Sequence, residues 1–212
     1  MKIKTWIQPK AAEEIIISNK EGIEVIPGVW IEGKTYWLTP GVESMIPEEG
    51  LSVYLQQEEG SPFVQLYNVS VTNFRERQLH IKLLIQNRHY QSSNRNHFFE
   101  EHKHFSFISP SEKVVFHLDQ HKVHLANGHC QGKANSTSTI QSIRNVFTDH
   151  IWACPITGKL QYNPMANGDA VSLFLYDCHF LGKQTIEGKS WVISGENETD
   201  LIKLNEALLK TH

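Results

Sequence analysis

The sequence has few cysteines and no excess charge of either sign. Its three cysteines are Cys130, Cys154 and Cys178. An odd number at wide spacing argues against a disulfide framework and against a zinc knuckle, so we expect reduced thiols. The 20 Lys and Arg residues stand against 23 Asp and Glu residues, which gives a formal net charge of -3. Because no basic surface is indicated, neither nucleic acid nor an anionic membrane is predicted as a partner.

Long apolar runs are also absent. The longest ones, such as residues 171–176, are far shorter than the roughly 20 residues that span a bilayer. Residues 1–18 include acidic positions and lack the sustained apolar core of a signal peptide. These observations predict a cytoplasmic protein that does not enter a membrane.

The common local motifs of enzymes are missing as well. The sequence contains no G-x-S-x-G, no G-x-G-x-x-G, no Walker lysine loop and no H-E-x-x-H. A site assembled across several strands leaves no such motif, so an enzyme is not excluded. The sequence leaves the question of catalysis open and favours a binding protein.

Short alternating apolar runs separated by turn residues fill most of the chain, which is typical of a β-sandwich or barrel. An apolar content of 40% is enough to form a core. We predict one all-β domain over residues 1–212, an antiparallel β-sandwich or open barrel of about ten or more strands. A C-terminal amphipathic helix is predicted at about 197–210, capped by Asn197, with Leu201, Leu204 and Leu208 on one side.

Several individual elements can be predicted. The first strands fall at residues 3–7 and 15–18, and a hairpin turns at residues 32–34. Its three aromatic residues, Trp30, Tyr36 and Trp37, are expected to be exposed. Residues 63–72 and 78–86 are predicted to pair as antiparallel neighbours. Residues 139–152 fit either a strand or a helix, and their β-branched residues favour a strand.

Histidine is concentrated in one region, where nine of the 12 histidines lie between His80 and His129. A type I turn at residues 109–112 would place His104 opposite His117 on the neighbouring strand. A second reversal at residues 119–122 places His117 opposite His124. Since side chains alternate along a strand, His102, His104, His117 and His124 would share one polar face with Asp119.

This face predicts a metal site. Opposed Cβ atoms lie about 4.5 to 5.5 Å apart, close enough for two imidazoles to bind one ion. The pair His102 and His104, with His117 on the next strand and His124 as a fourth candidate, resembles the zinc site of carbonic anhydrases in geometry; the likeness covers these few residues. The cofactor would be a divalent metal such as zinc. Two alternatives are a water-exposed polar face and a pH sensor that charges near pKa 6.5.

Three functions therefore remain open. The first is a binding or interaction protein, without a catalytic motif, for an unidentified protein or small molecule. The second is a metal-dependent hydrolase or hydratase that uses the cross-strand histidine site. The third is a carbohydrate-binding protein that stacks sugars on Trp30, Tyr36 and Trp37.

Overall fold

A computed structural model describes residues 22–89, 104–119 and 122–211. The predicted strands at 3–7 and 15–18 lie outside the described residues, and so does His102. The described elements follow this order along the chain: β1 (Ile23–Ile31), β2 (Lys34–Trp37), β3 (Ser44–Ile46), β4 (Leu51–Gln57), β5 (Val64–Asn73), β6 (Leu79–His89), β7 (Phe105–Ser109), β8 (Val114–Leu118), β9 (Val123–Cys130), β10 (Lys133–Ala134), β11 (Thr137–Ser142), α1 (Ile143–Phe147), β12 (Trp152–Cys154), β13 (Lys159–Leu160), β14 (Met165–Asn167), β15 (Ala170–Phe180), β16 (Gln184–Gly195) and α2 (Glu198–Thr211).

The strands form two antiparallel sheets that pack as a sandwich, as the sequence predicts. One sheet has the order β11-β15-β6-β1-β2. The other has the order β14-β7-β8-β9-β16-β5-β4-β3, with β10 paired to β9. The main core lies between the sheets, where alternate residues of both meet, among them Val69, Leu83, Phe174 and Val192. Each large apolar side chain that is fully buried there contributes about 1.5 to 3 kcal/mol.

Each sheet is also covered on part of its outer face. Helix α2 packs on β9 and β16, where Trp191, Leu125 and Leu201 form a second cluster. On the other sheet, α1 and the small β12-β13 pair cover Leu84 and Leu173. Strands in the middle of the sandwich are therefore buried on both faces.

Two predicted elements are confirmed. Helix α2 begins after Asn197, whose Oδ1 accepts a hydrogen bond from the backbone N–H of Thr199 at 2.9 Å. The β1-β2 hairpin turns at Glu32 and Gly33, which have φ angles of 47° and 88°. Positive φ at both positions is what a tight two-residue hairpin loop requires, and glycine meets that requirement at no steric cost.

Three details of the prediction are wrong. Ser106, not His104, lies opposite His117, because the loop after β7 closes one residue later and Lys113 adopts a positive φ of 56°. Strands β5 and β6 do not pair; they belong to different sheets. Residues 143–147 form α1 within a segment that was expected to be a strand, and the Ser142 hydroxyl caps that helix.

The terminal strands of the two sheets are short. In the part of the chain that the structure describes, and apart from the two-residue β10 that pairs only with β9, these strands are β11 and β2 in one sheet and β14 and β3 in the other. They contain six, four, three and three residues respectively. Within the same residues, no helix has the length and apolar character needed to cross a membrane.

Candidate metal centre

The predicted histidine face lies inside the sandwich. His117 on β8 is 0% exposed and His124 on β9 is 2% exposed. Both belong to the nine-stranded sheet and point toward the five-stranded sheet, because the opposite faces of β8 and β9 are covered by α2. The alternative of a water-exposed histidine face is therefore wrong for these two residues.

Four histidines and one carboxylate form what we call the histidine cluster: His89, His104, His117, His124 and Asp119. His89 is the last residue of β6 and enters from the five-stranded sheet. Its ring stacks on that of His104 with centroids 4.2 Å apart. The rings of His117 and His124 approach it edge-on, with centroids at 5.5 Å and 5.8 Å. The two sheets thus bring these side chains to one place.

His117 is held by two serine hydroxyls. Its Nδ1 lies 2.8 Å from Ser106 Oγ, and its Nε2 lies 2.9 Å from Ser172 Oγ across the sandwich. Ser172 Oγ also accepts a hydrogen bond from Asn87 Nδ2 at 3.2 Å. A neutral imidazole satisfies both serine contacts, because it donates at one nitrogen and accepts at the other. His117 therefore acts as a buried structural link between the sheets.

His124 and Asp119 stand at the turn between β8 and β9. The backbone N–H of Lys122 donates to Asp119 Oδ1 at 2.7 Å, which fixes the carboxylate. The other oxygen, Oδ2, lies 3.4 Å from His124 Nε2. His124 Nδ1 lies 2.8 Å from Ser194 Oγ on β16. A metal-binding histidine is commonly oriented in this way, through a hydrogen bond from its second nitrogen.

Among the described residues, His89, His124 and Asp119 could hold a metal ion together. One potential ligand atom from each lies within 4.8 Å of the others. His89 Nε2 is buried and has no hydrogen-bond partner in the described parts of the chain. A buried polar atom without a partner costs free energy, and coordination of a cation would remove that cost.

The histidines are held in the neutral form that metals require. Burial and the neighbouring His104 and His124 together lower the pKa of His89 to about 3, against an opposing effect of Asp119. Burial also lowers the pKa of His117 well below its ordinary value. The pKa of His124 is lowered by burial, against an opposing effect of Asp119. The pH-sensor alternative requires histidines of this face to charge together near pH 6.5, and the lowered pKa values of His117 and His124 argue against it. His89 and His124 are neutral at pH 7, and each has a nitrogen lone pair available for a metal.

The predicted ligand set is thus revised. Of the residues expected from sequence, His124 belongs to the candidate metal centre. His104 stacks on the ring of His89. Both ring nitrogens of His117 contact serine hydroxyls instead. His89 was missed because the strand was expected to end at Gln86. The inward positions Leu83 and Ile85 continue with the same period of two to residue 89, and this alternation is the signal that could have found it.

The aromatic hairpin does not form an exposed platform. Trp30 is 6% exposed. Its ring centroid lies 6.1 Å from that of Trp152, and its Nε1 donates to the carbonyl of Pro155. Tyr36 and Trp37 are half-buried. The expected exposure of Trp30 is wrong because α1 and the β12-β13 pair cover this side of the sheet.

Comparison with known proteins gives no family. No protein-family model matches the chain, and no curated protein sequence matches it. Among solved structures, the fold is similar to part of a polysaccharide lyase, with 14% sequence identity and a TM-score of 0.43. The aligned region covers 85% of this chain and 26% of the lyase chain, so this chain spans about a quarter of the length of that structure.

Proposed function

We propose that the protein is a β-sandwich binding protein whose ligand is a divalent metal ion held by His89, His124 and Asp119. The observation that carries the proposal is the convergence of these three side chains from two sheets, with ligand atoms within 4.8 Å of one another. Local sequence does not impose this arrangement, since His89 reaches the other two only through the packing of the sandwich.

The spacing suits a small cation. In a tetrahedral zinc site with bonds of about 2.0 Å, two ligand atoms lie roughly 3.3 Å apart. His124 Nε2 and Asp119 Oδ2 are already 3.4 Å apart. Other ligand atoms of the group are up to 4.8 Å apart. To bind one ion at that bond length, side chains must move by about 1 to 2 Å. Rotation of the His89 ring can supply this movement.

The donor types narrow the choice of metal. Two imidazoles and one carboxylate suit zinc and iron(II), whereas calcium and magnesium prefer oxygen donors alone. The carboxylate also supplies a negative charge that two neutral imidazoles lack. We therefore take zinc as the first probe and iron(II) and manganese(II) as the next ones.

Metal content of protein purified without a histidine tag tests the proposal. We expect about one metal ion per chain, bound directly or after reconstitution, as in a site with three protein ligands. His89→Ala and Asp119→Asn should both lose it. Asp119→Asn is the sharper variant, because it keeps an oxygen that can accept from the Lys122 N–H while it removes the charge.

Two variants serve as controls. His179→Ala removes an exposed imidazole from β15 and should keep the metal. His117→Ala should also keep the metal, although it removes the buried serine contacts and destabilises the fold. Loss of metal in His117→Ala with retention in His89→Ala would support the ligand set expected from sequence and contradict ours. Absence of bound metal after reconstitution with all three ions would refute both.

A metal-dependent hydrolase or hydratase is the second candidate. The observation that favours it is the number of ligands, because a catalytic zinc ion has three protein ligands and keeps one position for water. The same set of proteins distinguishes this candidate from simple binding. Hydrolysis of an activated ester that depends on zinc and disappears in Asp119→Asn would support it, whereas an inert, metal-loaded protein would leave a binding role.

A further inference from the structure

Two cysteines face each other between the sheets, away from the histidine cluster. Cys130 ends β9 in the nine-stranded sheet, and Cys178 lies on β15 in the five-stranded sheet. Their sulfur atoms are 3.9 Å apart. Cys130 is 5% exposed and Cys178 is 0% exposed. The third cysteine, Cys154, is only partly buried and lies on β12.

The separation is within reach of a covalent bond. A disulfide requires about 2.05 Å between the sulfur atoms and roughly 3.5 to 4.5 Å between the Cβ atoms. The sulfurs therefore need to approach by about 2 Å, a movement that rotation of the two side chains about χ1 can provide. Since the cysteines belong to different sheets, the bond would join the two halves of the sandwich.

The surroundings give the two thiols different roles. A hydrogen bond from the Cys178 thiol lowers the pKa of Cys130. The same interaction, together with burial, raises the pKa of Cys178. Cys130 is the more accessible of the two, and the turn residues Gln131 and Gly132 follow it directly. Because the thiolate is the reactive form, Cys130 would react first and Cys178 would resolve the product.

We propose that Cys130 and Cys178 are a redox-active pair that closes an inter-sheet disulfide when the protein meets a hydroperoxide. The Cys130 thiolate attacks one peroxide oxygen, the O–O bond breaks, and the leaving hydroxide takes a proton to become water. Cys130 is then a sulfenic acid. The Cys178 thiol loses its proton as its sulfur attacks Cys130 Sγ, and the S–O bond breaks to release a second water. Two thiols and one hydrogen peroxide thus give one disulfide and two water molecules.

Non-reducing peptide mapping of a Cys154→Ser protein tests the proposal without the third thiol. After treatment with hydrogen peroxide and denaturing alkylation, we expect a protein that carries no alkyl groups and whose intact mass is two hydrogen atoms lower than that of the reduced, unalkylated protein. Its digest should contain a linked peptide with Cys130 and Cys178. The thermal midpoint should rise by about 5 to 10 °C, because the link closes a loop of nearly fifty residues in the unfolded chain. Dithiothreitol should reverse both changes.

Single variants in the same background separate the two roles. In Cys178→Ser, Cys130 should stop at the sulfenic acid and be trapped by dimedone. In Cys130→Ser, Cys178 should stay reduced. The proposal is overturned if both thiols of Cys154→Ser remain free to alkylation after peroxide, or if Cys130 oxidises further without forming the linked peptide. If Cys130→Ser or Cys178→Ser does not fold, the peptide map of Cys154→Ser alone still shows whether the Cys130–Cys178 disulfide forms.

Discussion

At the scale of single residues, one side-chain oxygen links helix α2 to the sheet beneath it. Asn205 is 3% exposed, and its Oδ1 accepts hydrogen bonds from Trp191 Nε1 at 3.0 Å and from Asn127 Nδ2 at 2.9 Å. Trp191 itself is fully buried. The indole N–H has no water to turn to at this depth, so its partner must be supplied by the protein.

Replacing this residue should be costly. We expect Asn205→Ala to lower the free energy of unfolding by about 2 to 4 kcal/mol, because two buried donors lose their acceptor. Urea denaturation followed by tryptophan fluorescence measures the change. Leu204→Ala is the matched control: its side chain is 45% exposed on the same helix, and the expected loss is below about 1 kcal/mol. Equal losses in the two variants would contradict this role of Asn205.

At the scale of elements, the histidine strands show how far alternation predicts structure. The pairing of His117 with His124 and of Phe116 with Leu125 is as expected from the turn between β8 and β9. The β7-β8 pairing is displaced by two residues, because a four-residue loop can close at either of two positions. A displacement of two leaves every side chain on its predicted face, since the strand repeats every two residues. Faces were therefore predictable where partners were not.

Sheet membership was the less predictable property. Strands β5 and β6 follow each other closely, and their apolar alternation is equally clear. The residues between them carry the chain from one sheet to the other instead of reversing it within one sheet. Apolar alternation looks the same for both connections, because in each case one face is buried. The choice depends on packing against β16 and β15, which lie more than eighty residues away along the chain.

The neighbouring strands β6 and β15 also carry a charged pair whose contribution depends on pH. Lys82 Nζ lies 2.6 Å from Asp177 Oδ1. Burial raises the pKa of Asp177, but hydrogen bonds from Lys82 and Ser136 outweigh it, and the pKa lies below its ordinary value. The carboxylate thus stabilises the fold above the ordinary aspartate pKa of about 3.9, and this contribution is lost as the pH falls through the lower pKa of the folded state.

Asp177→Asn tests this dependence. We expect the variant to be less stable than the wild type by up to about 1 kcal/mol at pH 7, a modest value because the carboxylate is partly exposed to solvent. The difference should shrink at about pH 3, where the wild-type carboxylate begins to gain its proton. Urea midpoints of both proteins at the two pH values provide the measurement. An unchanged difference would show that the charge of Asp177 is not its cause.

At the scale of the whole molecule, the proposed metal centre spans the two sheets, with His89 on one side and His124 and Asp119 on the other. An ion that binds only the folded protein stabilises it, by about 2.7 kcal/mol at a free concentration 100 times the Kd. We therefore expect zinc to raise the thermal midpoint of metal-free protein and a chelator to lower it again. Differential scanning calorimetry of wild type and Asp119→Asn should show the shift in the wild type alone. A similar shift in both would place the ion elsewhere.

The proposed metal centre could be predicted only in part from the sequence, because it forms where the two sheets pack together. The sequence indicated His124 and placed Asp119 on its face, since both follow from one turn. His89 joins them through the contact between sheets, which no local pattern specifies. The serines that hold His117 likewise come from β7 and β15, two strands in different sheets. A cluster of this kind is a property of the packed molecule more than of any segment.

The short strands at the sheet margins affect how molecules meet one another. Amyloid-like growth requires extended segments of about six or seven residues with free N–H and C=O groups. Three of the four strands at the ends of the two sheets contain four residues or fewer in the described part of the chain. A second molecule approaching β2, β3 or β14 would find too few backbone groups to extend the sheet. These three strands by themselves therefore offer little template for ordered aggregation of the folded protein.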